Sequence, residues 1–231
     1  MHRGRLVLEM LLVFSTFFLP GYLSQAAMTA SAAPDPVAAM LQVIAFGIPQ
    51  LLLMVYLVSV QPDGSLDHWG IVALQPRDGA QIALLLACSM AVILGFMGLL
   101  RLLPPHWAGL LYRGYRWGLG RPSQIPLAVL FGLTVGYREE FFFRAYLLRR
   151  LDQAGMPSWA AIALSTALFS AGHLYEGIIG IALAACLGAL FSVAYLRQRS
   201  LHVVAIGHGL YNALALCLGL FEPLTRAIGA R

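Results

Sequence analysis

Seven long apolar stretches, separated by short polar breaks, constrain this chain more than any other feature. They run over residues 6–23, 37–60, 80–103, 125–148, 159–174, 178–196 and 201–221. At about 1.5 Å of rise per helical residue, such stretches cross most or all of a hydrocarbon core roughly 30 Å thick. Lipid cannot hydrogen-bond a backbone, so each stretch must satisfy its own amides as a helix. The apolar–polar alternation of a barrel strand is absent. Composition agrees: 60% of residues are hydrophobic and 11% charged, against about a quarter charged in a soluble domain. That leaves too little polar surface for a water-soluble globule. The expected fold class is all-α, a polytopic membrane helix bundle of about seven transmembrane helices. A soluble enzyme, a disordered chain and a secreted disulfide scaffold are excluded. Cys88, Cys186 and Cys217 all fall inside apolar stretches, where a thiol behaves as a small hydrophobe.

The net charge of +5 rests on arginine alone, for the 15 basic residues include no lysine. Most sit between apolar stretches, as in Arg149–Arg150, where loop arginines of a membrane protein belong. No nucleic-acid partner is expected. Seven arginines fall on one side of the bilayer and six on the other, which leaves the orientation open. Residues 104–122 mix Trp, Tyr and Arg and are too broken to span, so they suit an interfacial loop or short surface helix. Near the amino terminus, Arg3, Arg5, an apolar run and Ala30-Ser31-Ala32 imitate a cleavable secretory signal. Glu9 within the run, and the run's length, favour a retained first helix. The expected organisation is one continuous membrane domain, with helices and an interfacial loop over 1–124 and a catalytic bundle over 125–221.

Chemistry is expected where polar residues enter these helices. An ionisable group inside a span costs at least about 2.5–3.5 kcal/mol on insertion scales, so each is a functional candidate. Three clusters stand out. Arg138-Glu139-Glu140-Phe141-Phe142-Phe143-Arg144 lies in the fourth stretch. Glu140 and Arg144 are four apart, share a helical face and have the favourable order for an ion pair. Gly132 and Gly136 lie on the same row and permit close approach of another helix. Glu140 therefore reads as a structural partner of Arg144, while Glu139, rotated by about 100°, is free to face a cavity. The plainer alternative is that both glutamates only neutralise Arg138 and Arg144. The second cluster, Phe169-Ser170-Ala171-Gly172-His173, ends the fifth stretch. The third, His208-Gly209-Leu210-Tyr211-Asn212, lies in the seventh and puts His208 and Asn212 on one face. Either histidine alone reads more readily as a satisfied core residue than as a catalyst.

Depth brings the clusters together. Counted along alternating helices from the side of Arg149, Glu139 lies about 15 Å deep, His208 about 12 Å and His173 about 21 Å. Modest tilt places all three near the midplane. A carboxylate, two imidazoles and an amide converging in a dry bundle supply a base for water, a proton shuttle and donors for an oxyanion.

The motifs EExxxR, FxxxH and HxxxN, in this order and on separate apolar helices, resemble those of the CPBP family. These are the CAAX-protease and bacteriocin-processing intramembrane endopeptidases, whose eukaryotic members include the Ras-converting prenyl-protein protease. The resemblance covers about residues 125–216. It implies that Glu139 is the catalytic glutamate and that His173 works with it on water. It implies that His208 and Asn212 face the substrate carbonyl and its oxyanion, with Glu140, Arg144 and Phe169 supporting the site. Family members often have eight helices, which leaves the role of residues 104–122 open.

The expected activity is endoproteolysis of a membrane-associated peptide or protein, near its carboxy terminus or in a membrane-associated segment. No cofactor is expected. The alternative is a zinc metalloprotease with Glu139, His173 and His208 as ligands, since catalytic zinc commonly has three protein ligands. HExxH is absent, however, and Arg138 and Arg144 disfavour a dication. A non-catalytic alternative is a small transporter, or an immunity or scaffold protein. A transporter usually carries polar breaks in two related halves, whereas here they crowd the second half. The expected location is the bilayer, as a multi-pass protein of a bacterial cytoplasmic membrane.

Overall fold

A computed structural model describes residues 3–28, 35–61, 64–104 and 118–218; the described residues are helical, with no strand among them. The expected interfacial segment at 104–122 falls largely outside the described residues, as do the Ala30-Ser31-Ala32 tripeptide and the end of the seventh stretch. The helices are α1 (Arg3–Phe17), α2 (Leu19–Met28), α3 (Pro36–Ser59), α4 (Pro76–Arg101), α5 (Ile125–Glu140), α6 (Leu147–Gln153), α7 (Ser158–Ala171), α8 (Gly177–Gln198) and α9 (Leu201–Leu218). A π-helical segment, Phe141–Tyr146, joins α5 to α6.

By length and composition, α3, α4 and the run Leu174–Gln198 that contains α8 can each cross a membrane, while Ser158–Ala171 and Leu201–Cys217 are shorter apolar helices. The all-helical class therefore holds, but the elements are not seven unbroken rods. Residues 6–23 break at Phe18, where Pro20 in the second position of α2 lacks the amide that would continue α1. Residues 125–148 are interrupted by the π segment. Three consecutive phenylalanines would sweep about 200° around an α-helix, yet Phe141, Phe142 and Phe143 are all buried. α1, the break after it and α7 surround that segment through ring contacts such as Phe14–Phe142 at 6.1 Å, Phe18–Phe142 at 4.4 Å and Phe143–Phe169 at 5.4 Å.

Local chemistry sets the helix ends. Asp35 accepts from the Val37 amide at 3.0 Å ahead of Pro36, and the Asp78 carboxylate accepts from the Gln75 amide at 2.8 Å ahead of Pro76. Asp35 is an N-terminal cap, and Asp78, at the third position of its helix, reaches back to the cap residue Gln75; in both helices the first position is a proline that needs no donor. Hydroxyls inside the bundle are returned to backbone carbonyls: Ser89 to Leu85, Thr134 to Leu130 and Ser192 to Gly188, each at 2.8 Å. Large side chains on α3 and α4, among them Phe46, Leu52, Leu84 and Leu94, point outward and exposed, the surface lipid requires.

Contacts between connections sort the helix ends onto two sides. The start of α1 meets the α6–α7 connection, for Arg3 lies against Gly155. Arg149 donates to the His68 carbonyl at 3.1 Å, and the Leu201 amide to the Gly70 carbonyl at 2.7 Å. These ends share one side. On the other, the Leu119 amide donates to the Leu216 carbonyl near the end of α9 at 3.1 Å. α1 is also fixed laterally. Glu9 Oε1 accepts from Tyr146 at 2.9 Å and from Arg150 Nη2 at 2.8 Å, and Gln61 bonds both Glu9 and Arg150. Arg150 is nearly fully buried, with its guanidinium over the Trp69 ring at 5.0 Å. A charge so enclosed persists because the carboxylate, amide and ring contacts replace its hydration.

Candidate active site

The site is built outward from one helix crossing. A side chain on Gly132 would place its first carbon 2.3 Å from the Gly209 carbonyl oxygen, and one on Gly136 would place it 2.4 Å from that of Ala205. Only glycine fits at either position, so the backbones of α5 and α9 touch. One turn past Gly136, the same row brings Glu140 to α9 at the residue beside Gly209. There His208 Nδ1 meets Glu140 Oε1 at 2.8 Å. A carboxylate beside a guanidinium is an acceptor, so the imidazole is assigned as the donor through Nδ1–H. The Glu140 side chain is fully buried, and Arg144 Nη1 lies 3.1 Å from the same oxygen. Glu140 is thus held twice, by an ion pair to Arg144 four residues on in the π segment and by an imidazole across the crossing.

Arg144 is itself walled in. Its guanidinium carbon lies 4.4 Å from the Phe169 ring centre, 5.7 Å from that of Phe191 and 5.8 Å from that of Phe143. Its Nη2 donates to the Gly188 carbonyl at 3.3 Å. Phe191 stacks on His208 with ring centres 4.9 Å apart and an interplanar angle of 17°. The aromatic faces supply quadrupole attraction where water is excluded. They also fix the planes of both the guanidinium and the imidazole.

Phe169 links the two histidines, its ring 5.0 Å from His173 and 6.0 Å from His208. His173 is not inside a helix, as the fifth stretch implies. α7 ends at Ala171, and His173 opens the turn that leads into α8. Its Nδ1 lies 3.1 Å from the Phe169 carbonyl, one of the acceptors exposed where the helix stops. That contact assigns Nδ1 as the protonated nitrogen and leaves Nε2 as the acceptor.

Glu139 stands apart from this network. Its Oε1 pairs with Arg138 Nη2 at 3.2 Å, and its side chain keeps 15% of its surface where Glu140 keeps none. Arg138 lies over Phe18 at 5.5 Å, so the kink between α1 and α2 covers this flank. Asn212 is one turn beyond His208 on α9 and half-buried.

Apart from Asn212, the sequence-derived site residues therefore fall into two groups. Glu140, Arg144, His208, Phe169 and His173 form one contiguous set. Glu139 holds the adjoining position, with more surface and a more adaptable partner. Among the described residues no three His, Cys, Asp or Glu side chains come together as a metal-ligand set. The Glu140–His208 bond escapes sequence reasoning, as does Tyr22 of α2. The Tyr22 hydroxyl donates to the Leu168 carbonyl at 2.8 Å, and its phenol is within electrostatic reach of Glu139 and Arg138. A contact spanning 146 residues leaves no local signal. The glycine row was the one clue to the first contact.

Neither a curated protein nor a solved structure matches the chain. Residues 121–214, which carry all three motifs, match the family model described as Rce1-like, the type II CAAX prenyl endopeptidases, and over that segment the chain is similar to the CPBP/CAAX membrane proteases.

Proposed function

We propose that this protein is an intramembrane endopeptidase in which Glu139 activates water. The observation that carries the reading is the inequality of two adjacent carboxylates: Glu140 is sealed, hydrogen-bonded to His208 and ion-paired with Arg144, whereas Glu139 is partly open and ion-paired with the part-exposed Arg138. A general base must meet its water within hydrogen-bond reach, and of the two only Glu139 has surface to do so.

In this reading the water oxygen attacks the scissile carbonyl as its proton passes to Glu139. His173 presents Nε2 to the same water and relays the proton. The carbonyl oxygen gains negative charge and is met by His208 and Asn212. With Nδ1–H committed to Glu140, Nε2 is the His208 nitrogen left for the substrate. It donates when the ring carries both protons, a state for which Glu140 supplies the counter-charge. The Asn212 amide donates beside it. Collapse of the tetrahedral species breaks the C–N bond, and the proton held by Glu139 and His173 goes to the leaving amine. Preorganised donors in a water-poor site need little reorganisation, the usual source of large electrostatic rate effects. The proposed mechanism uses no metal. The substrate is a membrane-associated peptide or protein cut near its carboxy terminus or in a membrane-associated segment.

The test is purified full-length protein in proteoliposomes, incubated with a library of carboxy-terminal peptides, farnesylated and unprenylated, with products read by mass spectrometry. Release of a defined carboxy-terminal fragment is expected. No cleavage of any library member by folded protein would overturn the reading.

A further inference from the structure

Tyr22 belongs to the amino-terminal helices, outside the residues that carry the family match. Its placement follows from how α7 ends. In an uninterrupted α-helix the Leu168 carbonyl would accept from the Gly172 amide. Instead the Gly172 amide turns to Phe169 at 3.1 Å and the His173 amide to Ser170 at 2.9 Å, tightening the last turn. The Leu168 carbonyl is left to another donor, and inside a membrane an unpaired carbonyl is costly. The Tyr22 hydroxyl meets it at 2.8 Å.

The ring above that hydroxyl is also fitted to the turn. A side chain on Gly172 would place its first carbon 2.7 Å from Tyr22 Cε1 and 3.0 Å from the phenol oxygen, so glycine is required for the ring to lie there. Phe14 fixes the ring from behind in an edge contact, centres 5.6 Å apart at 84°. Gly172 immediately precedes His173, and the phenol is within electrostatic reach of Glu139, Arg138 and Arg144. Tyr22 thus contacts the turn bearing the proton relay and lies within electrostatic reach of the base.

We propose that Tyr22 is a positioning residue that pins the carboxyl end of α7 and so holds the His173 imidazole toward Glu139. The catalytic consequence rests on the proteolytic reading above; the positioning itself does not. Losing one hydrogen bond from the tether should lower kcat by between about twofold and tenfold, with KM nearly unchanged, because the bond orients a proton relay and does not bind substrate.

The experiment uses full-length protein in nanodiscs with isotope-labelled histidine, His173 and His208 signals being assigned by their loss in His173→Gln and His208→Gln. Tyr22→Phe keeps the ring against Gly172 and removes only the hydroxyl. It should shift or broaden the His173 imidazole signals and leave those of His208 in place. Gly172→Ala, which displaces the same ring from the other side, should disturb the same signals, and the double variant should be less than additive. Unmoved His173 signals in folded Tyr22→Phe protein would overturn the proposal, whatever the activity. A His173 shift in protein that cleaves no library peptide would sustain the tether and remove the proteolytic reading.

Discussion

Gly136→Ala tests whether the α5–α9 crossing creates the site. The added carbon would lie 2.4 Å from the Ala205 carbonyl oxygen, 2.8 Å from the Gly209 amide nitrogen and 3.1 Å from the Gly209 α-carbon, all of them backbone atoms. No side chain can swing aside to relieve this. Opening the 2.4 Å approach to the 3.4 Å of ordinary contact requires the helices to part by about 1 Å. The Glu140–His208 bond, 2.8 Å long and one turn away, would stretch beyond hydrogen-bonding distance. Overpacking of this kind costs about 1–3 kcal/mol. Thermal unfolding of purified protein should therefore fall by several degrees, and cleavage of the library-identified peptide should drop at least tenfold. Gly95→Ala is the control: its added carbon meets nothing within 4 Å. In a helix interior alanine should be neutral or stabilising by about 0.5–1 kcal/mol. Equal melting temperatures and activities for both variants would refute the crossing as the origin of the site.

Other outcomes follow from the same contacts. Glu140→Ala strands Arg144, whose side chain is fully buried, and frees His208. It should cost about 3–5 kcal/mol of stability, with peptide cleavage lost as well; wild-type melting and cleavage would remove the network from the account. Asn212→Ala should lower kcat by roughly 10²–10³ with little change in KM, as removal of an oxyanion donor does. An effect of a few-fold in folded protein would leave Asn212 as an interhelical hydrogen bond. Exhaustive chelation should leave cleavage intact, and stoichiometric zinc lost in step with activity would favour a metalloenzyme.

Much of this architecture is visible in the residue order because the bilayer permits few solutions. Apolar runs must be helices, and the charges within them must face the interior, so Glu139, Glu140, Arg144, His173 and His208 stand out on hydropathy alone. Spacing carries further where the geometry is local. The Glu140–Arg144 pair and the glycine row are both i,i+4 relations, and both appear in the fold. What escapes is set by packing between distant elements. The π segment arises from how three adjacent phenylalanines are enclosed by other helices, a demand no window along the chain contains. His208 reads as an oxyanion donor from its motif, yet its second bond to Glu140 depends on how closely two backbones approach. Pro20 marks a kink without saying which site the kinked helix covers, and so Tyr22 stays silent. The end of α7 two residues before His173 is likewise tertiary, since Tyr22 takes the carbonyl that the shortened helix releases.

The central claim is that Glu139, and not its neighbour, is the base that activates water. Its most direct measurement is the single-turnover cleavage rate of Glu139→Gln in proteoliposomes, beside the wild type and with the melting temperature of each. Glutamine keeps the size and the hydrogen-bonding reach of glutamate but cannot take the proton from water. Loss of the base should lower the rate by at least about 10²–10⁴, with unfolding unchanged because no sealed contact depends on Glu139. A Glu139→Gln protein that cleaves within a few-fold of wild type would contradict the account.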